Sequence, residues 1–195
     1  MNEALLQDSC SRWPKVAAAR VRAAVSLMRT AAENPIEKGR LGKLRGAIYA
    51  VMAGLPISDF QEGLAHLNGV AFAAALLAKR RGEAPELAAM AGLLHDFYGY
   101  IASDTEDHGR KGAACAAKVL EALGLASDDE IDAIASAIYV HSDKGGRHTP
   151  FEEILVDADV LQHGLYDPAA PLKPSERQRF ESVCRELGIQ ADGAF

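Results

Sequence analysis

Apolar residues along this chain recur at helical spacing, and no stretch of useful length alternates apolar with polar residues as a half-buried strand would. One apolar stripe shows the pattern at three- and four-residue intervals, through Leu41, Leu44, Ile48, Val51 and Met52. The chain is also rich in alanine, the residue with the highest helix propensity, and only 6% of its residues are aromatic. We therefore predict an all-α fold.

Helix start and stop signals divide the chain into successive segments. Three stretches place a glutamine or glutamate three positions after a serine or threonine, which is the pattern of a capping box: Ser58–Gln61, Ser127–Glu130 and Thr149–Glu152. Prolines near predicted helix starts and glycines after predicted helix ends supply further boundaries, at Pro14, Pro85, Pro174, Gly82, Gly124 and Gly188. We predict an N-terminal helical extension over residues 1–57 and a metal-binding helical domain, including a C-terminal helix, over residues 58–195.

Histidines and aspartates form an ordered series on these predicted helices, within mostly apolar flanks. Imidazole and carboxylate groups are ligands that suit divalent transition metals. A carboxylate in an apolar helix face is costly to bury unless it is paired or binds a cation. A single histidine on such a face is more often a core residue, and an all-α scaffold with unrelated histidines stays an alternative. Taken as a set, the series predicts a metal site held by His66, His95, Asp96, His108, His141 and Asp159.

The order of this series and its flanking residues resemble a known family. His66 lies in Leu-Ala-His-Leu-Asn-Gly-Val-Ala, the His95-Asp96 doublet follows Ala-Gly-Leu-Leu, and Asp159 lies in Asp-Ala-Asp-Val-Leu. This arrangement resembles the HD-domain superfamily of metal-dependent phosphohydrolases, whose series is a histidine, a His-Asp doublet and a distant aspartate. The resemblance covers residues 60 to 165 and implies an HD-domain-like helical bundle. It also implies one or two divalent ions, of iron, manganese, zinc, nickel, cobalt or magnesium.

Two further histidines resemble those of binuclear family members. His108 and His141 are similar to the additional histidines of bacterial diadenosine tetraphosphate hydrolases, the nearest pattern, and of HD-GYP cyclic-dinucleotide phosphodiesterases. In such members the doublet aspartate bridges two metals. The chain lacks the Gly-Tyr-Pro motif of HD-GYP proteins, because Gly145-Gly146-Arg147 stands there instead, and it has Phe-Tyr-Gly-Tyr where a lysine often follows the doublet. The resemblance therefore identifies no single substrate.

The resemblance implies hydrolysis of a phosphomonoester, phosphodiester or pyrophosphate bond in a small nucleotide-like substrate, by water that the metal activates. Asp96 has the catalytic role, and Lys144, Arg147 and Lys111 are candidate contacts for substrate phosphate, with solvated surface charges as the alternative. Two histidines lie outside the predicted ligand set: we interpret His148 as a residue on a loop surface and His163 as a residue at a helix end. A second class of function stays open: a catalytically weak HD-type module that binds or senses a nucleotide.

The net charge and the cysteine content limit which partners and which cellular compartment the sequence favours. The net charge of −6 argues against binding long nucleic acid, which requires a basic face. Residues 12–45 nevertheless contain nine Lys or Arg and two Glu. We interpret them as a solvated face, with contacts to nucleic acid, an acidic partner or the chain's own acidic body as alternatives. Three separated cysteines without a CxxC motif, and no apolar run of about 18 residues, predict a reduced cytoplasmic protein without a membrane span. A homo-oligomer is compatible with these features.

Overall fold

The computed structural model describes residues 13–34, 38–167 and 170–190, and in these ranges helices alternate with turns and loops, without a strand. The described residues form nine helices: α1 (Lys15–Ala32), α2 (Gly39–Met52), α3 (Ile57–Arg81), α4 (Pro85–Leu94), α5 (Phe97–Ala102), α6 (His108–Leu123), α7 (Asp128–Val140), α8 (Pro150–Tyr166) and α9 (Pro174–Leu187). The predicted all-α fold is confirmed. Within the described part of the chain, no helix combines the length and the apolar character that crossing a bilayer requires.

Two of the predicted capping boxes are present at helix starts. The Ser127 hydroxyl accepts a hydrogen bond from the Glu130 amide at 3.4 Å, and the Glu130 carboxylate accepts one from the Ser127 amide at 2.8 Å. Thr149 and Glu152 begin α8 with the same reciprocal pattern. These contacts satisfy amides that have no partner inside the helix, so the starts of α7 and α8 follow from local sequence.

The capping box predicted at Ser58 is wrong. The α3 helix begins at Ile57, and Pro56 occupies the cap position with φ −51° and ψ 146°. Ser58 therefore lies inside the first turn, and its hydroxyl donates to the Asp59 carboxylate at 3.1 Å. The ring of proline presets the backbone for a helix start, and this preference moves the boundary ahead of the serine.

A glycine allows α3 and α4 to approach closely. A Cβ atom at Gly92 in α4 would lie 2.6 Å from the Cα atom and 2.7 Å from the amide nitrogen of Ala71 in α3. Backbone atoms cannot rotate away from such a contact, so the crossing point requires glycine. The contact places the middle of α3, which carries His66, beside the end of α4, which leads into His95 and Asp96.

The α6 helix makes two equally close approaches. A Cβ atom at Gly109 would lie 2.7 Å from the carbonyl oxygen of Tyr139, at the end of α7. A Cβ atom at Gly112 would lie 2.9 Å from the carbonyl oxygen of His95, just after α4. Since His108 is the first residue of α6, these contacts bring it to the place where α4 and α7 end.

The basic N-terminal segment contacts the body of the same chain. The Arg20 guanidinium donates to the carbonyl oxygen of Ala102 at 3.2 Å. The Arg40 guanidinium forms ion pairs with Glu86 in α4 at 2.6 Å and with Glu130 in α7 at 2.8 Å. Of the alternatives for this segment, contact with the chain's own acidic body is therefore present. One hydrophobic cluster runs from α1 to α9, and the division into residues 1–57 and 58–195 stays a prediction.

We predict that Gly92→Ala destabilises the protein by about 1–3 kcal/mol, the usual cost of overpacking a close contact. The new methyl group would press on the α3 backbone and displace α4 with the residues that follow it. Urea unfolding followed by circular dichroism measures the change. Gly99→Ala is the matched control, because a Cβ atom there meets no atom within 4 Å. Equal stability of the two variants would contradict the close packing of α3 on α4.

Candidate metal centre

The six predicted ligands come from five helices and lie together in one cluster. Two of them occupy the middle of long helices, α3 and α8, and the other four lie at helix ends. Every ligand belongs to at least one group of three whose ligand atoms are within 4.8 Å of one another. The set brought together is His66, His95, Asp96, His108, His141 and Asp159.

The Asp96 carboxylate lies between two pairs of histidines. Its Oδ2 atom is 3.5 Å from Nε2 of His66 and 3.6 Å from Nε2 of His95. Its Oδ1 atom is 3.4 Å from Nε2 of His141 and 4.0 Å from Nε2 of His108. Each oxygen therefore faces a different pair of imidazoles, which is the arrangement that a carboxylate shared by two cations requires.

Asp159 closes the cluster on the side of the first histidine pair. Its Oδ1 atom is 3.6 Å from Nε2 of His66 and 3.8 Å from Nε2 of His95. This oxygen is buried and accepts no hydrogen bond from any described residue. The Nζ atom of Lys144 contacts the other oxygen, Oδ2. An unsatisfied buried acceptor costs free energy, and a cation in this position would remove that cost.

The histidine rings are oriented by hydrogen bonds on their outer nitrogen. The Nδ1–H group of His95 donates to the carbonyl oxygen of Gly92 at 2.7 Å, and that of His141 donates to Ile138 at 2.6 Å. The Nδ1–H group of His66 donates in the same way to the side-chain oxygen of Gln162, and that of His108 donates to the carbonyl oxygen of Thr105. A ring that donates through Nδ1 keeps a lone pair on Nε2, so all four Nε2 atoms are available as metal ligands.

The Nε2 atoms of His66 and His95 are 2.9 Å apart. Because both rings use Nδ1 as a donor, the neutral rings direct two lone pairs at each other, and either a shared proton or a cation must separate them. Two nitrogens bound at about 2.1 Å to one cation are about 3.0 Å apart at a right angle and about 3.4 Å apart in a tetrahedron. The observed separation and the donor set therefore fit a divalent ion.

Burial and neighbouring charges set the protonation of the cluster. Burial lowers the pKa of His95 to about 4, so its ring is neutral near pH 7, as a ligand must be. Burial alone would raise the pKa of Asp96, but the surrounding histidines, His95 foremost, hold it well below its usual range. Burial acts in the same direction on Asp159, yet the charge of Lys144 holds that pKa low as well. Both carboxylates are therefore ionised.

The cluster reaches solvent at His108, whereas His141 of the same pair is buried. The side chain of His108 is 37% exposed, whereas that of His95 is fully buried. The Ser142 hydroxyl lies 2.8 Å from Nε2 of His108 and 3.4 Å from Nε2 of His141, so it lies between the two rings. Asp96, His108 and His141 form a separate group with metal-binding spacing, on the open side of the cluster.

Sequence analysis missed part of this cluster. His163 was interpreted as a helix-end residue outside the ligand set, but its Nε2 atom is 3.4 Å from Oδ1 of Asp159 and its ring stacks on His66 at 5.4 Å. The four-residue spacing from Asp159 to His163 on α8 was the available signal, since it places both on one face. The His148 side chain is only 9% exposed and contacts the carbonyl oxygen of Asp143 at 2.9 Å, so it packs within its loop.

The candidate phosphate contacts lie in different surroundings. Lys144 points into the cluster and pairs with Asp159. Arg147 is exposed in the loop between α7 and α8 and forms no ion pair with a described residue. Lys111 is buried and donates to Asp104 at 2.9 Å, which ties down the loop before His108. Lys144 therefore lies at the cluster, Arg147 lies three residues further along the same loop, and Lys111 is engaged in a structural contact.

Comparison with known proteins agrees with this geometry. A family model described as the HD domain matches residues 63–164, which is more than half of the chain. The matched region contains all six predicted ligands and extends from α3 to α8. No curated protein and no solved structure matches the chain.

We predict that the wild-type protein binds two divalent ions and that His141→Ala binds one. The substitution removes a ligand from the open group while the group that contains His66 and His95 keeps its atoms. Elemental analysis after dialysis against Mn²⁺ measures the stoichiometry. His148→Ala is the control, because it removes a histidine that lies outside all of the metal-binding groups of described residues. Equal stoichiometry in wild type and His141→Ala would contradict a second site.

Proposed function

The chain belongs to the HD-domain family, and on this premise we propose that it is a metal-dependent phosphohydrolase that acts on a small, nucleotide-like phosphorylated substrate. One observation carries the proposal: Asp96 has one oxygen toward His66 and His95 and the other toward His108 and His141. A carboxylate between two imidazole pairs suits two divalent ions that share it. Two divalent ions that share a carboxylate are suited to phosphoryl chemistry.

Bound divalent ions supply Lewis-acid chemistry, because they lower the pKa of a coordinated water and polarise phosphoryl oxygens. The residues of the chain hold and orient this chemistry. The partly buried His66 with the buried His95 and Asp159 provide a rigid side, since their outer atoms are engaged by the protein. Asp96 and His108, beside the buried His141, provide the side that is open to solvent, where a substrate can approach.

Positive charge for the substrate comes from the loop between α7 and α8. Lys144 lies at the cluster, and Arg147 is exposed three residues later. Both line a polar cavity of about 590 Å³ that α9 also lines, and Lys144 in addition contacts Asp159 of the cluster. The segment after the His-Asp doublet, residues 97–100, carries no lysine, so these two side chains supply the cations that contact phosphate oxygens.

The proposed substrate is a nucleotide or a similar small molecule. The net charge of −6 disfavours a long nucleic acid, whose binding depends on displacing many counterions from a basic face. The histidine pattern is nearest to that of diadenosine tetraphosphate hydrolases, so dinucleoside polyphosphates belong in the first substrate panel. Nucleoside mono-, di- and triphosphates, cyclic dinucleotides and a generic phosphomonoester complete the panel.

We predict that Asp96→Asn lowers metal-dependent turnover on this panel by roughly a thousandfold or more, because the shared ligand supports several kcal/mol of transition-state stabilisation. Asparagine keeps the size of the side chain at this position, so circular dichroism is expected to show an unchanged helical fold. Turnover of the panel with and without added Mn²⁺ is the measurement. Wild-type protein that contains metal, binds a nucleotide tightly and hydrolyses no member of the panel would favour the sensor function instead.

We predict that Arg147→Ala raises KM roughly tenfold, because a hydrogen bond to a charged group contributes about 1.5 kcal/mol. The turnover number is expected to stay near the wild-type value, since Arg147 forms no ion pair or hydrogen bond with a candidate ligand among the described residues. Steady-state kinetics on the best substrate of the panel provide both constants. Arg177→Ala, which removes an exposed arginine from α9, is the control. A lower turnover number with unchanged KM would contradict a role in substrate binding.

A further inference from the structure

The C-terminal helix α9 lies outside the region matched by the HD-domain family but packs directly on the helix that carries Asp159. A Cβ atom at Gly164 in α8 would lie 2.3 Å from the ring of Phe180 in α9. This close approach sets the separation of the two helices. The face of α9 that meets α8 carries two charged residues, Glu176 and Arg179, three positions apart on one side of the helix.

The first of these residues reaches Asp159 through a histidine. Glu176 is 3% exposed, and its Oε1 atom accepts a hydrogen bond at 3.3 Å from Nδ1 of His163. The Nε2 atom of His163 lies 3.4 Å from Oδ1 of Asp159. The ring of His163 also stacks on His66, at 5.4 Å and with 14° between the planes. Glu176 therefore holds a ring that contacts two of the candidate metal ligands.

The second residue reaches Asp159 through the loop between α7 and α8. The Arg179 guanidinium donates to the carbonyl oxygens of Lys144 and Gly146, each at 3.2 Å. The same guanidinium is anchored on α8 by Asp157, at 2.7 Å, and by Glu153. The Lys144 side chain then contacts Oδ2 of Asp159. Arg179 therefore fixes the backbone from which Lys144 extends.

These two chains of contacts end on the two oxygens of one carboxylate. His163 faces Oδ1 of Asp159, and Lys144 contacts Oδ2. We propose that Glu176 and Arg179 are positioning residues, through which α9 sets the orientation of Asp159 as a metal ligand. This inference rests on the metal site of the proposed function. It assigns to a helix outside the family-matched region a direct influence on metal affinity.

The physical basis is the cost of ordering a ligand. A carboxylate that rotates freely loses conformational entropy when it binds a cation, whereas a carboxylate that the protein already holds loses little. Residues behind a metal ligand commonly contribute roughly 10- to 100-fold in affinity for this reason. The planar fork of Arg179 suits its role, because it donates to two carbonyls and a carboxylate in fixed directions, which lysine cannot do.

The test is a titration of the full chain with Co²⁺ alone, in which the visible absorption of the bound ion is the measured signal. We expect Glu176→Gln and Arg179→Lys each to weaken Co²⁺ binding roughly 10-fold or more and to alter the absorption spectrum. Both substitutions are conservative in size or charge. Matched controls on the same helix are Glu181→Gln and Arg177→Lys, which change exposed residues and are expected to bind as the wild type does.

A double substitution separates positioning from a general loss of structure. If Glu176 acts through His163, then His163→Ala already removes its effect, and adding Glu176→Gln to that variant weakens Co²⁺ binding no further. Additive losses would overturn the contact chain from Glu176 to Asp159. Circular dichroism and thermal unfolding without metal show whether α9 remains docked in each variant.

The outcomes distinguish this inference from the proposed function. Wild-type protein that binds Co²⁺ while Glu176→Gln and Arg179→Lys bind it equally well would overturn the inference and leave the metal site in place. Wild-type protein that binds no Co²⁺ would overturn both. Weakened binding in the two variants, wild-type binding in the two controls and the absence of a further loss in the double variant would support the inference.

Discussion

The arrangement of the candidate metal centre depends on the balance of charge among its histidines and its two aspartates. Asp96 and Asp159 are ionised in a pocket formed largely by imidazole rings, and the rings direct their acceptor nitrogens inward because their donor protons are engaged outside. Lone pairs and carboxylate oxygens that converge within 4 Å repel one another unless positive charge lies among them. A shared proton or the ammonium group of Lys144 can supply part of that positive charge. Divalent cations match the charge and the donor atoms of the whole cluster.

The ends of helices α4 and α7 position and orient the histidines of the cluster. The last turn of a helix leaves carbonyl oxygens without a partner inside the helix. In the last turns of α4 and α7 the carbonyls of Gly92 and Ile138 accept the Nδ1–H groups of His95 and His141. One feature of the backbone therefore selects the tautomer of each ring and directs its other nitrogen toward Asp96. Glycines at the helix crossings let these ends meet, as in the contact of Gly112 with the His95 backbone.

The side of the cluster formed by α8 is supported differently. Asp159 lies in mid-helix, where the backbone groups are paired within the helix, so its orientation depends on contacts with other side chains. Lys144 comes from the preceding loop and His163 from one turn further along α8, and both are held by residues of α9. The family-matched region thus supplies the metal-facing atoms, while the C-terminal helix supplies contacts that hold one of them in place.

The helical class, most helix boundaries and the six candidate ligands can be predicted from the amino-acid sequence, because each depends on local signals or on an ordered motif. The spacing of apolar residues and the caps at Ser127 and Thr149 are local in this sense. The packing of the helices, by contrast, sets which oxygen of Asp96 faces which histidine pair and which carboxylate each lysine pairs with. Lys111 and Lys144 are both lysines near cluster histidines in sequence, yet one pairs with Asp104 and the other with Asp159. Such pairings join residues from helices and loops distant in sequence, and helix packing, rather than any local pattern, brings them within a few ångströms.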